Sequence, residues 1–227
     1  SKINNRQDEF GINPNTKIGT KFLDLIIDNI RLKCGDLFPI IVKISGSDDY
    51  ANKFTNNQFI NLVRFLNSKE VSAIEVSYGT MDYALNIFRG DMPVNLILSK
   101  NKVFKTNNIL LKKLRKTFIF PLIKKKLIPF SPMYNLQYAL LAKEYSHIPI
   151  ISVGGFRSRN EMEYGIKNKG IDFIGLCRPF ICEPDFVLKI ASNTNYSSKC
   201  KNCNYCAIMC DTDEVTQCYK IKNNGNS

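Results

Sequence analysis

Histidine is almost missing from this chain: His147 is the only one in 227 residues. A Ser–His–Asp relay and a His-pair metal motif both need imidazole at the right place, and neither can be assembled here. Long apolar runs are missing too. The longest weakly polar stretch, Leu127 to Ala142, is interrupted by Ser, Pro, Asn and Gln, so no membrane span is expected. No secretory leader is visible, and Ser1 rather than Met opens the chain in what reads as a loop, which suggests a missing N-terminal part. Acidic residues are absent between Lys100 and Lys126, where nine lysines and Arg115 give a local +10. The net charge is +12, so the rest of the chain carries only about +2 (12 − 10). One basic block is weaker evidence for nucleic acid than a uniformly basic protein, and no nucleic acid is expected. The block reads as a solvated insertion. The sharper alternative is a landing surface for an acidic partner, a dinucleotide or an anionic membrane.

What is present is an orderly alternation. A helix is predicted over about 17–33, where Phe22, Ile26, Ile30 and Leu23, Ile27 keep the spacing of one buried face and Gly35 supplies a stop. Pro39 to Ser45 reads as an apolar strand broken only by Lys43. Thr55 and Gln58 spell a capping box before a helix that turns Phe59, Leu62, Val63 and Leu66 inward. Ala73 to Gly79 is a second strand, followed by a basic, partly helical insertion at about 80–130. A helix over 134–145, a strand from Ile148 to Phe156 and a helix opened by Ser158 and Glu161 and ending near Gly170 come next. The strand Asp172 to Phe180, broken by Pro179, precedes a short helix begun by Glu183-Pro184-Asp185. One helix and four strand–helix repeats predict a parallel sheet covered on both faces or curled into a barrel. Four strands are too few to close an eight-stranded barrel.

The last two strands end in groups that suit a phosphate. Gly154-Gly155 allows close backbone approach and leaves two amides facing outward, although alone it is also an ordinary tight turn. Arg178 alone reads as half of a surface ion pair. On consecutive strands of a strand–helix repeat, the two point to one phosphate site. Lys43 is costly to bury without an acceptor. At a barrel strand end its ammonium is placed to neutralise charge developing on a reduced ring, unless it merely snorkels to the rim. Glu75 reads as its ion-pair partner rather than a general base. His147 precedes its strand, at the wrong end for a barrel site, and is structural.

Of eight cysteines, Cys34, Cys177 and Cys182 fall in core-like segments and read as small apolar residues. The other five follow the run Cys200-x2-Cys203-x2-Cys206-x3-Cys210-x7-Cys218. Without a secretion signal, such clustering points to metal in a reducing cytoplasm rather than to disulfides. The first four match a ferredoxin-type run, with Asp211 in place of the usual proline. Cys200, Cys203, Cys206 and the remote Cys218 are the preferred ligand set, with Cys210 the alternate. Iron–sulfur and zinc both remain open.

Together these residues resemble the old yellow enzyme family, in the NADH:flavin oxidoreductase branch that includes 2,4-dienoyl-CoA reductase. Asn5-Arg6-Gln7-Asp8-Glu9-Phe10-Gly11 is similar to the family's Asn-x-Arg-x-Asp-x-Tyr-Gly stretch, with Phe for Tyr, while Ile12-Asn13 and Lys17-Ile18 depart from its continuation. Pro39 to Ser45 resembles the fifth barrel strand, with Lys43 where a basic residue reaches the flavin's pyrimidine edge. Ile148 to Phe156 and Phe173 to Phe180 resemble strands seven and eight, which bind the FMN phosphate. The cysteine spacing resembles the branch's iron–sulfur segment, where the gap between the second and third ligands is one residue longer.

The resemblance implies the C-terminal half of a TIM-type (β/α)8 barrel, strands five to eight, over 1–195, and a Cys-rich metal or iron–sulfur tail over 196–227. It implies an FMN-dependent oxidoreductase in which NAD(P)H reduces flavin and hydride passes to an activated alkene or another acceptor. Gly154, Gly155, Phe156, Cys177 and Arg178 would contact the cofactor. Lys43 would serve binding and catalysis, and the cysteines would hold a 4Fe-4S cluster. The family's first four strands, which carry the substrate-gripping His/Asn or His/His pair, have no counterpart here, so the expected partners include that missing half or another protomer. Two rivals remain: a flavin-free phosphate-binding barrel enzyme, and a non-enzymatic half-barrel remnant that binds metal or a partner protein.

Overall fold

The structure is a computed structural model that describes residues 4–221. Its elements in chain order are α1 (Lys21–Cys34), β1 (Ile41–Ser45), α2 (Asn56–Ser68), β2 (Ala73–Ser77), α3 (Ala84–Phe88), α4 (Val94–Lys100), α5 (Ile109–Leu114) and α6 (Phe120–Lys124). Then come α7 (Leu136–Tyr145), β3 (Ile150–Val153), α8 (Arg159–Glu163), β4 (Phe173–Gly175), α9 (Arg178–Cys182), α10 (Phe186–Ser192) and α11 (Tyr205–Met209). A π turn over Arg115–Ile119 joins α5 to α6.

The chain forms two compact units that interleave along the sequence. Of the described residues, the first contains 4–83, 133–156 and 162–175. It is an α/β unit around one four-stranded parallel sheet in the order β1-β2-β3-β4. Sequential order and parallel pairing are what repeated strand–helix connections produce, because each crossover returns the chain to the same end of the sheet. The Thr55–Gln58 capping box forms as spelled, and Phe59, Val63 and Leu66 of α2 are fully buried. Gly35 ends α1 at φ +89° and donates its N–H to the carbonyl of Arg31.

Alternation divides the sheet into two unequal faces. Ile44, Ile74, Val76 and Ile150 are buried on one face. The row Lys43, Glu75, Ile151 and Phe173 lies in register on the other. There Ile41 and Phe173 are 60% and 56% exposed.

Three expectations need correction. On α1 only Ile27 is buried, while Phe22 and Ile26 are exposed, so the apolar spacing does not mark one covered face. The last strand stops at Gly175, and Arg178 opens α9 with Pro179 in its first turn. A first-turn proline loses no helical hydrogen bond and presets φ, so Pro179 starts a helix instead of breaking a strand. Cys34 and Cys177 are exposed rather than core residues, and only Cys182 is buried.

Of the described residues, the second unit contains 84–132, 157–161 and 176–221. Its apolar centre is Ile97, Leu98, Phe120 and Ile208, with Leu85, Met92 and Phe104 packed around it. The basic insertion therefore folds with the cysteine-rich segment, through Ile208 of α11.

Candidate functional site: a glycine turn and a thiol-lined cavity

In the first unit, β3 runs straight into Gly154 (φ +128°) and Gly155 (φ +88°), conformations that side-chain-bearing residues rarely adopt. A Cβ on Gly154 would lie 2.5 Å from Asn135 Nδ2 and 2.7 Å from Tyr134 Cε2. Asn135, which caps α7, explains the close packing: its Nδ2 donates to the carbonyl of Val153 at 2.7 Å. Its Oδ1 and the hydroxyl of Ser152 are buried without a hydrogen-bond partner. Orphaned polar atoms are scarce in folded proteins and mark places where a ligand or water completes the bonding. The side chains of Tyr134 and Asn135 thus fill the space beside Gly154, and Ser152 lies in register with Ile44 and Val76 on the face opposite Lys43.

Lys43 and Glu75 face each other across β1 and β2, Nζ to Oε1 at 2.6 Å. The lysine side chain is 60% exposed, so the burial penalty expected for a strand lysine is largely avoided, and its acceptor is the one anticipated. His147 is exposed before β3. At the β1 and β2 ends, Ser45 Oγ donates to the Gly79 carbonyl at 2.8 Å and Tyr78 donates to Asp49 Oδ1 at 2.8 Å. Sequence reasoning missed Asn135, although an asparagine directly before an apolar helix is a recognised start signal.

In the second unit, Cys182, Cys200, Cys203, Cys206 and Cys218 line one cavity of about 390 Å³, with Arg178 in its wall. Cys210 lies outside that lining; its thiol is exposed and donates back to the Ala207 carbonyl. Burial, with Cys218 and Cys200 nearby, pushes the Cys182 thiol up to about 12. Burial and Cys200 push Cys206 up to about 11. Thiols crowded in this way stay protonated until a cation offsets their charge. Among the described residues, no three Cys, His, Asp or Glu side chains converge tightly enough to hold a single metal ion. The donor set suits a thiolate-bound group, but it surrounds a volume rather than a point.

Two arginines and a glutamate shape this loop. Asn202 (φ +54°) and Asn204 (φ +57°) flank Cys203 in left-handed conformations. Arg157 holds Asn202 Oδ1 through Nε at 3.2 Å and Nη2 at 2.6 Å. Arg178, 7% exposed, donates from Nη1 to Asn204 Oδ1 at 2.8 Å and to the Arg89 carbonyl at 3.0 Å, and from Nη2 to the Phe88 carbonyl. Three of its five N–H donors are thus turned toward protein acceptors. Glu183, 4% exposed, accepts from Ser198 Oγ at 3.0 Å, from the Lys199 N–H at 2.7 Å and from the Tyr196 hydroxyl, which fixes the approach to Cys200. Burial alone would raise its pKa; these donors outweigh that and hold the carboxyl below its usual range. Glu183 and Arg157 were not singled out from sequence. A Glu beside Pro184 reads as a helix start, and only the fold brings residues 196–199 to it.

Residues 105–197 match the NADH:flavin oxidoreductase / NADH oxidase family. The segment contains Gly154, Gly155 and Arg178, but neither Lys43 nor Cys200 to Cys218. The resemblance read from sequence is borne out over this segment, and the matched family implies FMN and NAD(P)H. The chain is also 21% identical over 206 residues to a 4,4'-dithiodibutanoate disulfide reductase of Rhodococcus erythropolis, covering 90% of this chain and 48% of that protein. It therefore spans about half the length of this curated relative. The structure of 2-naphthoyl-CoA reductase in complex with 2-naphthoyl-CoA superposes with a TM-score of 0.59 at 14% identity, over 92% of this chain and 26% of that one. At that identity the likeness is one of fold.

Proposed function

We propose that this chain is the FMN-carrying part of an old yellow enzyme-type NAD(P)H oxidoreductase, and that its sheet is half of an eight-stranded barrel. The observation that carries the reading is the family match over residues 105–197, which spans the β3–Gly154–Gly155 turn. Among the described residues β1 pairs only with β2 and β4 only with β3, so both sheet edges are open to the four strands that a barrel requires. FMN, when bound, supplies hydride transfer between NAD(P)H and an activated alkene or another acceptor. The protein's share is positioning and charge. Gly154, Gly155 and Phe156 bring backbone close enough to cradle the phosphate. Lys43 offers its ammonium at the pyrimidine edge, with Glu75 fixing its direction. Cys177 and Arg178 complete the resemblance. Capture of an anion by Arg178 has to coexist with the bonds that its Nη groups already make.

In the tail, Cys200, Cys203, Cys206 and Cys218 are proposed to hold a four-iron cluster rather than zinc. The ferredoxin-type spacing of the run and the presence of all four thiols on one cavity support the reading. Cys206→Ser should abolish iron incorporation on anaerobic reconstitution, while Cys210→Ser should leave it unchanged, as read by iron content per chain. Equal loss in both variants would remove Cys218 from the set in favour of Cys210.

The flavin reading is tested by incubating the purified chain with FMN, removing free cofactor by gel filtration and adding NADH or NADPH without oxygen. Retained yellow colour that bleaches with either nucleotide is expected. Retention should be lost in Gly154→Val, whose side chain would fill the turn. A colourless protein that still binds phosphate would favour the flavin-free barrel enzyme. Iron or zinc uptake with no affinity for FMN would favour the non-enzymatic remnant.

A further inference from the structure

The flavin reading leaves the helical run from Ile109 to Lys124 unused. One side of it is seated: Phe120 is buried with Ile97, Leu98 and Ile208, and Ile123 packs against them. The other side is uncovered. Leu110, Leu114, Phe118 and Leu122 recur at every fourth position and are 79%, 51%, 63% and 62% exposed. An i, i+4 row is one helix face. The π turn at Arg115–Ile119 rotates the chain less per residue than an α turn, which keeps the row from winding out of line.

Between Leu110 and Phe118 the intervening positions carry Lys112, Lys113, Arg115 and Lys116. Lys112, Lys113 and Lys116, with Asn95 and Leu98, line a cavity of about 350 Å³. Lys116 Nζ points to Asn95 Oδ1 at 3.3 Å. Lys124, Lys125 and Lys126 extend the charge, all exposed. No carboxylate occurs between Lys100 and Lys126, and Lys100 at the block's edge is paired with Glu214 at 2.9 Å.

We propose that this face docks the protein on an anionic lipid bilayer. Leu110, Leu114, Phe118 and Leu122 would enter the acyl boundary, and the long lysine side chains interleaved with them and following at Lys124 to Lys126 would reach up to headgroup phosphates. Charge complementarity selects the occupant. The segment carries ten basic residues and no acid of its own, and with Lys100 offset by Glu214 the remaining charge is still drawn to anionic headgroups; the four large apolar chains of the same run gain from leaving water only if the partner is apolar beneath its charge. A dinucleotide satisfies the lysines but leaves the apolar row wet. This inference does not depend on the flavin assignment.

The test is co-sedimentation of the purified chain with vesicles of phosphatidylcholine alone or with about 30% phosphatidylglycerol. Binding to the anionic vesicles should be about tenfold or more tighter than to neutral ones and should weaken as salt is raised. The pair Leu114→Ser with Phe118→Ser, and separately the pair Lys113→Glu with Lys116→Glu, should each weaken it roughly fivefold or more. All four positions are exposed; circular dichroism checks folding, and Leu110→Ser with Leu122→Ser replaces a pair that fails to fold. Equal binding to both vesicle types, or undiminished binding by the serine and glutamate pairs, overturns the proposal. So does uptake of inorganic phosphate or an acidic peptide by a protein that ignores anionic vesicles.

Discussion

At Gly154 the left-handed φ and the nearness of Asn135 Nδ2 leave no room for any other residue. Gly154→Ala should cost about 1–3 kcal/mol of unfolding free energy, measured by urea denaturation. Two cations illustrate how burial sets the consequence of losing a side chain. Arg178→Ala would strand buried carbonyls and the Asn204 amide, and should cost about 2–4 kcal/mol. Lys43→Ala removes a side chain that is 60% exposed, although its partner Glu75 is only 25% exposed, so stability should fall by about 0.5–1 kcal/mol. If the lysine acts electronically, its loss slows flavin reduction more than it weakens flavin retention; equal losses would make it structural. The glycine pair, Lys43 and Glu75 were legible in sequence because each violates the strand pattern around it. Asn135, Arg157 and Glu183 were not, since their partners lie 18, 45 and 13 to 16 positions away and no local pattern announces them.

Among the elements, the number of strands and their parallel arrangement were readable but not their lengths: the strands read over 148–156 and 172–180 span only Ile150–Val153 and Phe173–Gly175. Continuous apolar runs between turn formers leave little choice but buried parallel strands. The α1 face and the β4–α9 junction were misread for two different reasons: spacing says which residues share a side, not whether anything covers it, and Pro179 is equally at home ending a strand or opening a helix. One ionic clasp ties three elements of the first unit. Lys143 on α7 reaches both oxygens of Asp172 at 2.7 Å, and the Ile150 N–H of β3 donates to Asp172 at 2.8 Å, just ahead of β4. Burial by itself would raise the Asp172 pKa, but these donors outweigh it and hold the carboxyl below its usual value. A folded-state pKa below the unfolded one adds stability above the unfolded value, and that increment is lost as pH falls through the folded one. Asp172→Asn should therefore lower stability by about 1 kcal/mol at neutral pH and flatten its decline below about pH 4, as followed by denaturation across pH.

Over the molecule as a whole, the units interleave, so a cut in the chain does not separate them. Residues after Asn195 supply Tyr196, Ser198 and Lys199 to Glu183, Asn204 to Arg178 and Ile208 to the apolar centre of the second unit. A chain ending at Asn195 should consequently lose the packing of residues 84–132, and limited trypsin digestion should cleave its lysine-rich helices faster than in the full chain. Unchanged cleavage would show that the tail folds independently. Composition foretold the basic block and the thiol cluster but not their common core, because Ile208 sits among cysteines where no periodicity marks it.

The separation of β2 from its neighbour has a bearing on synthesis. Residues 78–149 lie between Ser77 and Ile150, so on the ribosome β2 waits for β3 while that stretch is made, roughly 4–14 seconds at typical elongation rates. Throughout that interval Ala73 to Ser77 offers a bare, apolar hydrogen-bonding edge to any other nascent polypeptide. Translation speed through the lysine-rich codons, and whatever shields that edge meanwhile, would then govern how much native protein a cell recovers.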